Sequence, residues 1–123
     1  MFTGDFNKNK KGPEAAIQDS IVNALRLREW TVMETHGNLY QWGFPDIYAY
    51  HPHYGQRWIE VKLPGMKGSK FTPAQKKYFP LMDASKIGRW ILTGATDMEL
   101  NKLFQPPNWR VYYLLEMHRE RTK

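Results

Sequence analysis

Apolar side chains recur at Ala16, Ile17, Ile21, Leu25 and Leu27, a spacing that gives one buried face and predicts a helix over residues 13–28. Pro13 suits its first position, where a missing N–H costs nothing. Trp30, Val32 and Thr35 then predict a strand over 30–35, and the two Gly and one Asn between His36 and Phe44 predict a loop. A second strand is expected over 45–50, with Pro45 tolerated at its start. Pro52 and Gly55 mark a turn over 51–55. The clearest alternation follows over 56–63: Ile59, Val61 and Leu63 point one way, and Trp58, Glu60 and Lys62 the other.

Beyond a Gly- and Lys-bearing loop over 64–71, Thr72 and Pro73 read as the N-cap and first residue of a second helix. Pro80 is expected to stop or kink it near Phe79. Residues 88–93 are apolar and short, which suits a strand. Thr96 and Glu99 form a capping-box pair for a third helix to about Phe104. Residues 106–108 break that helix, and 109–115, rich in β-formers, are expected to form a last strand. The predicted order is α-β-β-β-α-β-α-β, an α/β chain without internal repeats.

The 123 residues suit one folded unit over 13–123, preceded by a flexible basic arm over 1–12. The absence of Cys excludes disulfides, thiolate zinc sites and a cysteine nucleophile. No apolar run reaches the roughly 18 residues that a membrane helix needs. The basic start MFTGDFNKNKKG has no apolar stretch after it, so no signal peptide is expected and a cytoplasmic, non-secreted protein is. The net charge of +6 is concentrated: residues 56–89 hold eight Lys or Arg against Glu60 and Asp83, 8 − 2 = +6, and the remaining charges cancel. A local cationic field attracts polyanions, nucleic acid foremost.

The chemistry-bearing pattern is Pro45-Asp46 followed by Glu60-Val61-Lys62. If His53 centres the turn, paired residues sum to 106, which sets Asp46 across from Glu60 on one face. Two carboxylates so close repel unless a cation lies between them. Mg²⁺ is suited to that place, since it binds hard oxygen ligands and needs only one or two carboxylates. Lys62, two residues beyond Glu60, brings an ammonium to the same face, where it can offset charge building on phosphorus. The Val61 carbonyl is a candidate further ligand, and Glu14, in the first helical turn, a candidate further carboxylate.

Glu14, Gly43-Phe44-Pro45-Asp46, Glu60-Val61-Lys62 and Gln75 together resemble the PD-(D/E)XK nuclease superfamily. Within it, the pattern is most similar to the virus-type replication–repair nuclease (VRR-NUC) domain, in its stand-alone phage-like form. The resemblance spans residues 13–95 and implies a restriction-endonuclease-like αβββαβ core, with a mixed central sheet flanked by helices. It implies Mg²⁺- or Mn²⁺-dependent hydrolysis of DNA phosphodiesters, in the host cytoplasm for a phage-encoded chain. By position, Asp46, Glu60 and the Val61 carbonyl would bind metal, Lys62 would be catalytic, Glu14 would assist, and Gln75 would position groups near the site. It further implies a homodimer that acts on branched DNA such as a Holliday junction. Two departures stand out: an aromatic loop before Phe44, and Pro80 within a helix that the family keeps continuous.

Lys67, Lys70, Lys76 and Lys77, around the second helix start, are candidate DNA-backbone contacts, as is the loop residue His36. Tyr40 and Trp42 are candidate base-stacking residues, whereas Phe44 suits the core. His51 and His53 read as turn residues, for want of a third ligand. The competing expectation is a non-catalytic nucleic-acid-binding module that retains the fold and the basic patch.

Overall fold

The first amphipathic stretch forms helix α1, Pro13–Leu27, with Ile21, Val22 and Leu25 on its buried side. The computed structural model describes residues 12–35, 42–67 and 69–121. Residues 1–11 of the expected arm, His36 and Tyr40 lie outside the described residues. Four strands follow: β1 (Thr31–Glu34), β2 (Ile47–His51), β3 (Gly55–Val61) and β4 (Arg89–Leu92). They lie in the order β1-β2-β3-β4, antiparallel except for the parallel β3–β4 pair. A parallel pair needs a crossover, and helix α2 (Pro73–Ala84) lies in it. Helix α3 (Asp97–Leu100), a 3-10 turn (Asn101–Phe104) and helix α4 (Trp109–Arg121) complete an α/β fold with a mixed sheet.

Each face of the sheet carries its own core. Ile47, Ala49, Ile59 and Val61 pack against Ile21, Val22 and Leu25 of α1. On the opposite face Ile91 packs with Phe71, with Phe79 and Met82 of α2, and with Trp109 of α4. The hairpin register is the expected one, from Ile47 opposite Ile59 to His51 opposite Gly55. Its turn is confined to residues 52–54, because His51 and Gly55 pair with each other.

Two sequence expectations are overturned. Helix α2 does not end near Phe79 but continues through Pro80 to Ala84. Pro80 itself is exposed, and buried Phe79 and Met82 anchor the turns around it, so packing holds the helix across the hydrogen bond that the proline cannot donate. Residues 109–115 are helical rather than a strand. Trp109 and Glu116 are buried and Tyr112 and Tyr113 partly so, a helical stripe that outweighs the β-propensity of single residues. The place a fifth strand would take is already filled: Asn108 donates through Nδ2 to the Ile91 carbonyl (3.1 Å) and accepts from its N–H at Oδ1 (2.6 Å). At the other flank, Arg26 donates to the Val32 carbonyl at 3.2 Å. The element order is therefore α-β-β-β-α-β-α-α. Among the described residues no helix is long and apolar enough to cross a membrane.

Candidate active site

Asp46 sits one residue before β2, and the hairpin register continued by one step sets it across from Glu60. Its backbone is held to the end of β1, where Thr35 donates from N–H to the Asp46 carbonyl (2.8 Å) and from its hydroxyl to that of Pro45 (2.6 Å). Gly43, at φ +77°, lets the incoming chain lie against the first turn of α2; a Cβ there would stand 2.9 Å from the backbone of Ala74. The Asp46 side chain is buried and accepts from the Val61 N–H at 2.8 Å, so one carboxylate joins β3 just beyond the last hairpin pair.

Glu60 and Lys62 extend from β3 to the same face, as their alternation predicts, and both are about as buried as the core, at 1% and 3% exposed. The Lys62 ammonium lies 3.4 Å from Glu60 Oε2. It also donates to the Lys70 carbonyl (2.6 Å) and to Gln75 Oε1 (3.2 Å), and sits 5.0 Å from the Phe71 ring centroid. Gln75 is fixed in turn by a complete capping box: its N–H bonds to Thr72 Oγ1 and its Oε1 accepts from the Thr72 N–H. The start of α2 thus positions the lysine. Glu14, in the first turn of α1, accepts a hydrogen bond from Ser69, which is itself buried.

Glu60 Oε1 is different: it is buried and has no hydrogen-bond partner among the described residues. Buried polar atoms are nearly always satisfied, and an unsatisfied anionic oxygen is costlier than a neutral one. A divalent cation is the kind of ligand that would satisfy it, and Asp46 and the Val61 carbonyl are the neighbouring oxygen donors along the chain. Among the described residues no three His, Cys, Asp or Glu side chains gather as a metal cluster, so Glu14 does not complete a three-carboxylate set with Asp46 and Glu60. A two-carboxylate magnesium site, completed by water, does not require one.

Comparison of the chain with family models, curated proteins and solved structures finds no match. The site therefore rests on its own geometry.

The eight cations of residues 56–89 divide into two groups. Lys62 and Arg89 are buried, and Arg57 lies half-buried with its guanidinium 4.9 Å from the Trp90 ring centroid. Burial lowers the Arg57 guanidinium, and pushes that of Arg89 down to about 10 against the opposing pull of Asp83. Arg89 lies 4.5 Å from the Trp109 ring centroid and 5.3 Å from that of Phe79, so it serves the core. Lys76 pairs with Glu116 (3.3 Å) and Glu120 (3.4 Å); desolvation opposes its charge, but the two carboxylates hold the ammonium above its ordinary value. Lys67, Lys70, Lys77 and Lys86 are left exposed. His51 and His53 neighbour each other at the turn, with the His53 N–H bonded to His51 Nδ1 (3.1 Å).

Sequence reasoning missed Ser69, Phe71 and the Lys70 carbonyl as parts of the site. They lie in an aperiodic loop, where only the fold brings them to Glu14 and Lys62. Trp42, singled out from the sequence, is 55% exposed and lies beside Tyr78, at 5.3 Å between ring centroids, while Phe44 is half-buried against Trp58.

Proposed function

We propose that the chain is a PD-(D/E)XK-type, Mg²⁺- or Mn²⁺-dependent DNA endonuclease of the VRR-NUC kind, acting on branched DNA as a homodimer. The observation that carries this reading is the bare, buried oxygen of Glu60 beside the Lys62 ammonium, one register step from Asp46. Asp46, Glu60 and the Val61 carbonyl are the groups that would hold the ion. When bound, the ion lowers the pKa of water and neutralises charge at phosphorus. Lys62 keeps a fixed positive charge at the same face, where it offsets charge developing on a phosphoryl oxygen. Gln75 keeps Lys62 in place, and Glu14, through Ser69, ties α1 to the loop that supplies the Lys70 carbonyl. Exposed Lys67, Lys70 and Lys77 contact the phosphate backbone, which is bound for its charge rather than its sequence. Lys76, shared with Glu116 and Glu120, adds less to that field.

The deciding measurement is cleavage of duplex, nicked, flap and four-way DNA with and without Mg²⁺. Cutting is expected only with the metal, and Glu60→Gln is expected to lower the rate by about 100-fold or more with the circular dichroism spectrum unchanged. A folded Glu60→Gln protein that cuts at the parental rate would sink the assignment. Salt-sensitive binding without turnover on any substrate would leave a binding module instead.

A further inference from the structure

The face of the sheet that carries Glu60 is not covered evenly. Helices α2 and α4 close it over β4, but among the described residues no helix covers it over β1 and β2, where Met33 is 57% and Tyr50 45% exposed. The strand pairing puts Met33 beside Tyr48, Tyr48 beside Trp58 and Tyr50 beside Gln56, all on this face. Their rings form a series: Tyr50 to Tyr48 at 6.0 Å between centroids, Tyr48 to Trp58 at 4.6 Å, and Trp58 to Phe44 at 5.1 Å. Trp58 and Gln56 also line a cavity of about 280 Å³ with Trp90 and, at its edge, the exposed Lys86. Gln56 Oε1 is taken by the Tyr48 hydroxyl at 2.5 Å, which leaves its amide N–H groups as donors toward a ligand. Trp58 stands two strand residues, about 7 Å, from Glu60.

We propose that this open face binds unpaired nucleotides, so that the preferred branched substrate has a single-stranded arm next to the cut. The inference rests on the nuclease reading and narrows its substrate. Bases present π-faces that stack on exposed aromatic rings regardless of sequence. A paired duplex hides those faces, so a row of rings has nothing to offer it. The Trp58 cavity joins aromatic walls, an amide donor and an ammonium, a set that matches the base and phosphate of one nucleotide. The charge is also of the right sign, with Lys86 at the cavity and Lys77 on α2 beside Tyr78.

The test measures fluorescence anisotropy of a labelled oligothymidine and of a blunt duplex of equal length, on the full chain in EDTA so that nothing is cut. Tyr50→Ala is expected to weaken single-strand binding about tenfold, with duplex binding within about twofold of parental and Tyr50→Phe restoring the affinity. Trp58→Phe keeps a ring in the half-buried position and is expected to retain most of the affinity, whereas Trp58→Leu is not. Lys86→Gln is expected to reduce the single-strand salt slope by about 0.7. Equal losses on both DNAs, or no loss with Tyr50→Ala, would overturn the proposal. So would a Tyr50→Ala protein whose sedimentation shifts from dimer to monomer, which would make a second copy the occupant. The two readings fail separately: Mg²⁺-dependent cutting without ring-dependent binding removes only the track, and ring-dependent binding without cutting removes only the nuclease.

Discussion

Lys62 has three N–H groups and three neighbours to receive them: the Lys70 carbonyl, Gln75 Oε1 and, at 3.4 Å, Glu60 Oε2. Removing the ammonium would leave a buried carboxylate without its compensating charge. Lys62→Met is therefore expected to cost about 3–5 kcal/mol in urea unfolding. The double variant Glu60→Gln/Lys62→Met should recover most of that loss, since neither charge is then left alone; strictly additive effects would contradict this account. Any activity lost in either single variant thus mixes chemistry with stability, since each leaves one buried charge without the other, and rates are to be compared at equal folded fraction. At this scale the sequence was informative. Strand alternation put Glu60 and Lys62 on one face, and the register sum put Asp46 across from Glu60. It did not reveal that Asp46 binds the Val61 N–H, because that bond lies just past the end of the hairpin ladder.

Among the elements, the contact of the Gly43 loop with the start of α2 is the least tolerant. A side chain at Gly43 would meet Ala74 backbone at 2.9 Å and occupy a positive φ. Gly43→Ala is expected to lower stability by about 1–3 kcal/mol, measured by thermal unfolding, and to reduce cleavage by shifting Asp46. Pro80 behaves oppositely. It interrupts the hydrogen bonding of α2 on an exposed side, and Pro80→Ala is expected to stabilise the chain by about 1 kcal/mol or more, with helix content unchanged. The element order was legible through α3, where periodicity, caps and turn residues agree. It failed at residues 109–115 because Val111, Tyr112 and Tyr113 favour strands as individuals, while the vacancy beside β4 is filled by one Asn108 amide. No local pattern announces that substitution.

For the whole molecule, a basic composition does not translate into a uniformly basic surface. Lys62 and Arg89 are spent inside, and Lys76 is paired. Asp83 links several parts of the second core, accepting from Arg110 (2.6 Å) and Trp109 Nε1 (3.2 Å) and lying 3.6 Å from Arg89. The Arg110 bond, then that of Trp109, holds its carboxyl below the usual range. A depressed carboxylate contributes stability that is fully present above its unfolded value and fades as pH falls through the folded one. The stability difference between the parent and Asp83→Asn is thus expected to be full at pH 7 and to shrink below about pH 4, as read by urea titration at each pH.

The amide and guanidinium that occupy the two flanks of the sheet also limit how the protein can assemble. Strand-to-strand zippering requires bare backbone along a border. Here Asn108 stoppers one border and Arg26 takes the Val32 carbonyl on the other. A second copy of the proposed nuclease would therefore not extend the sheet through either of these borders, and each copy would keep a separate four-stranded sheet.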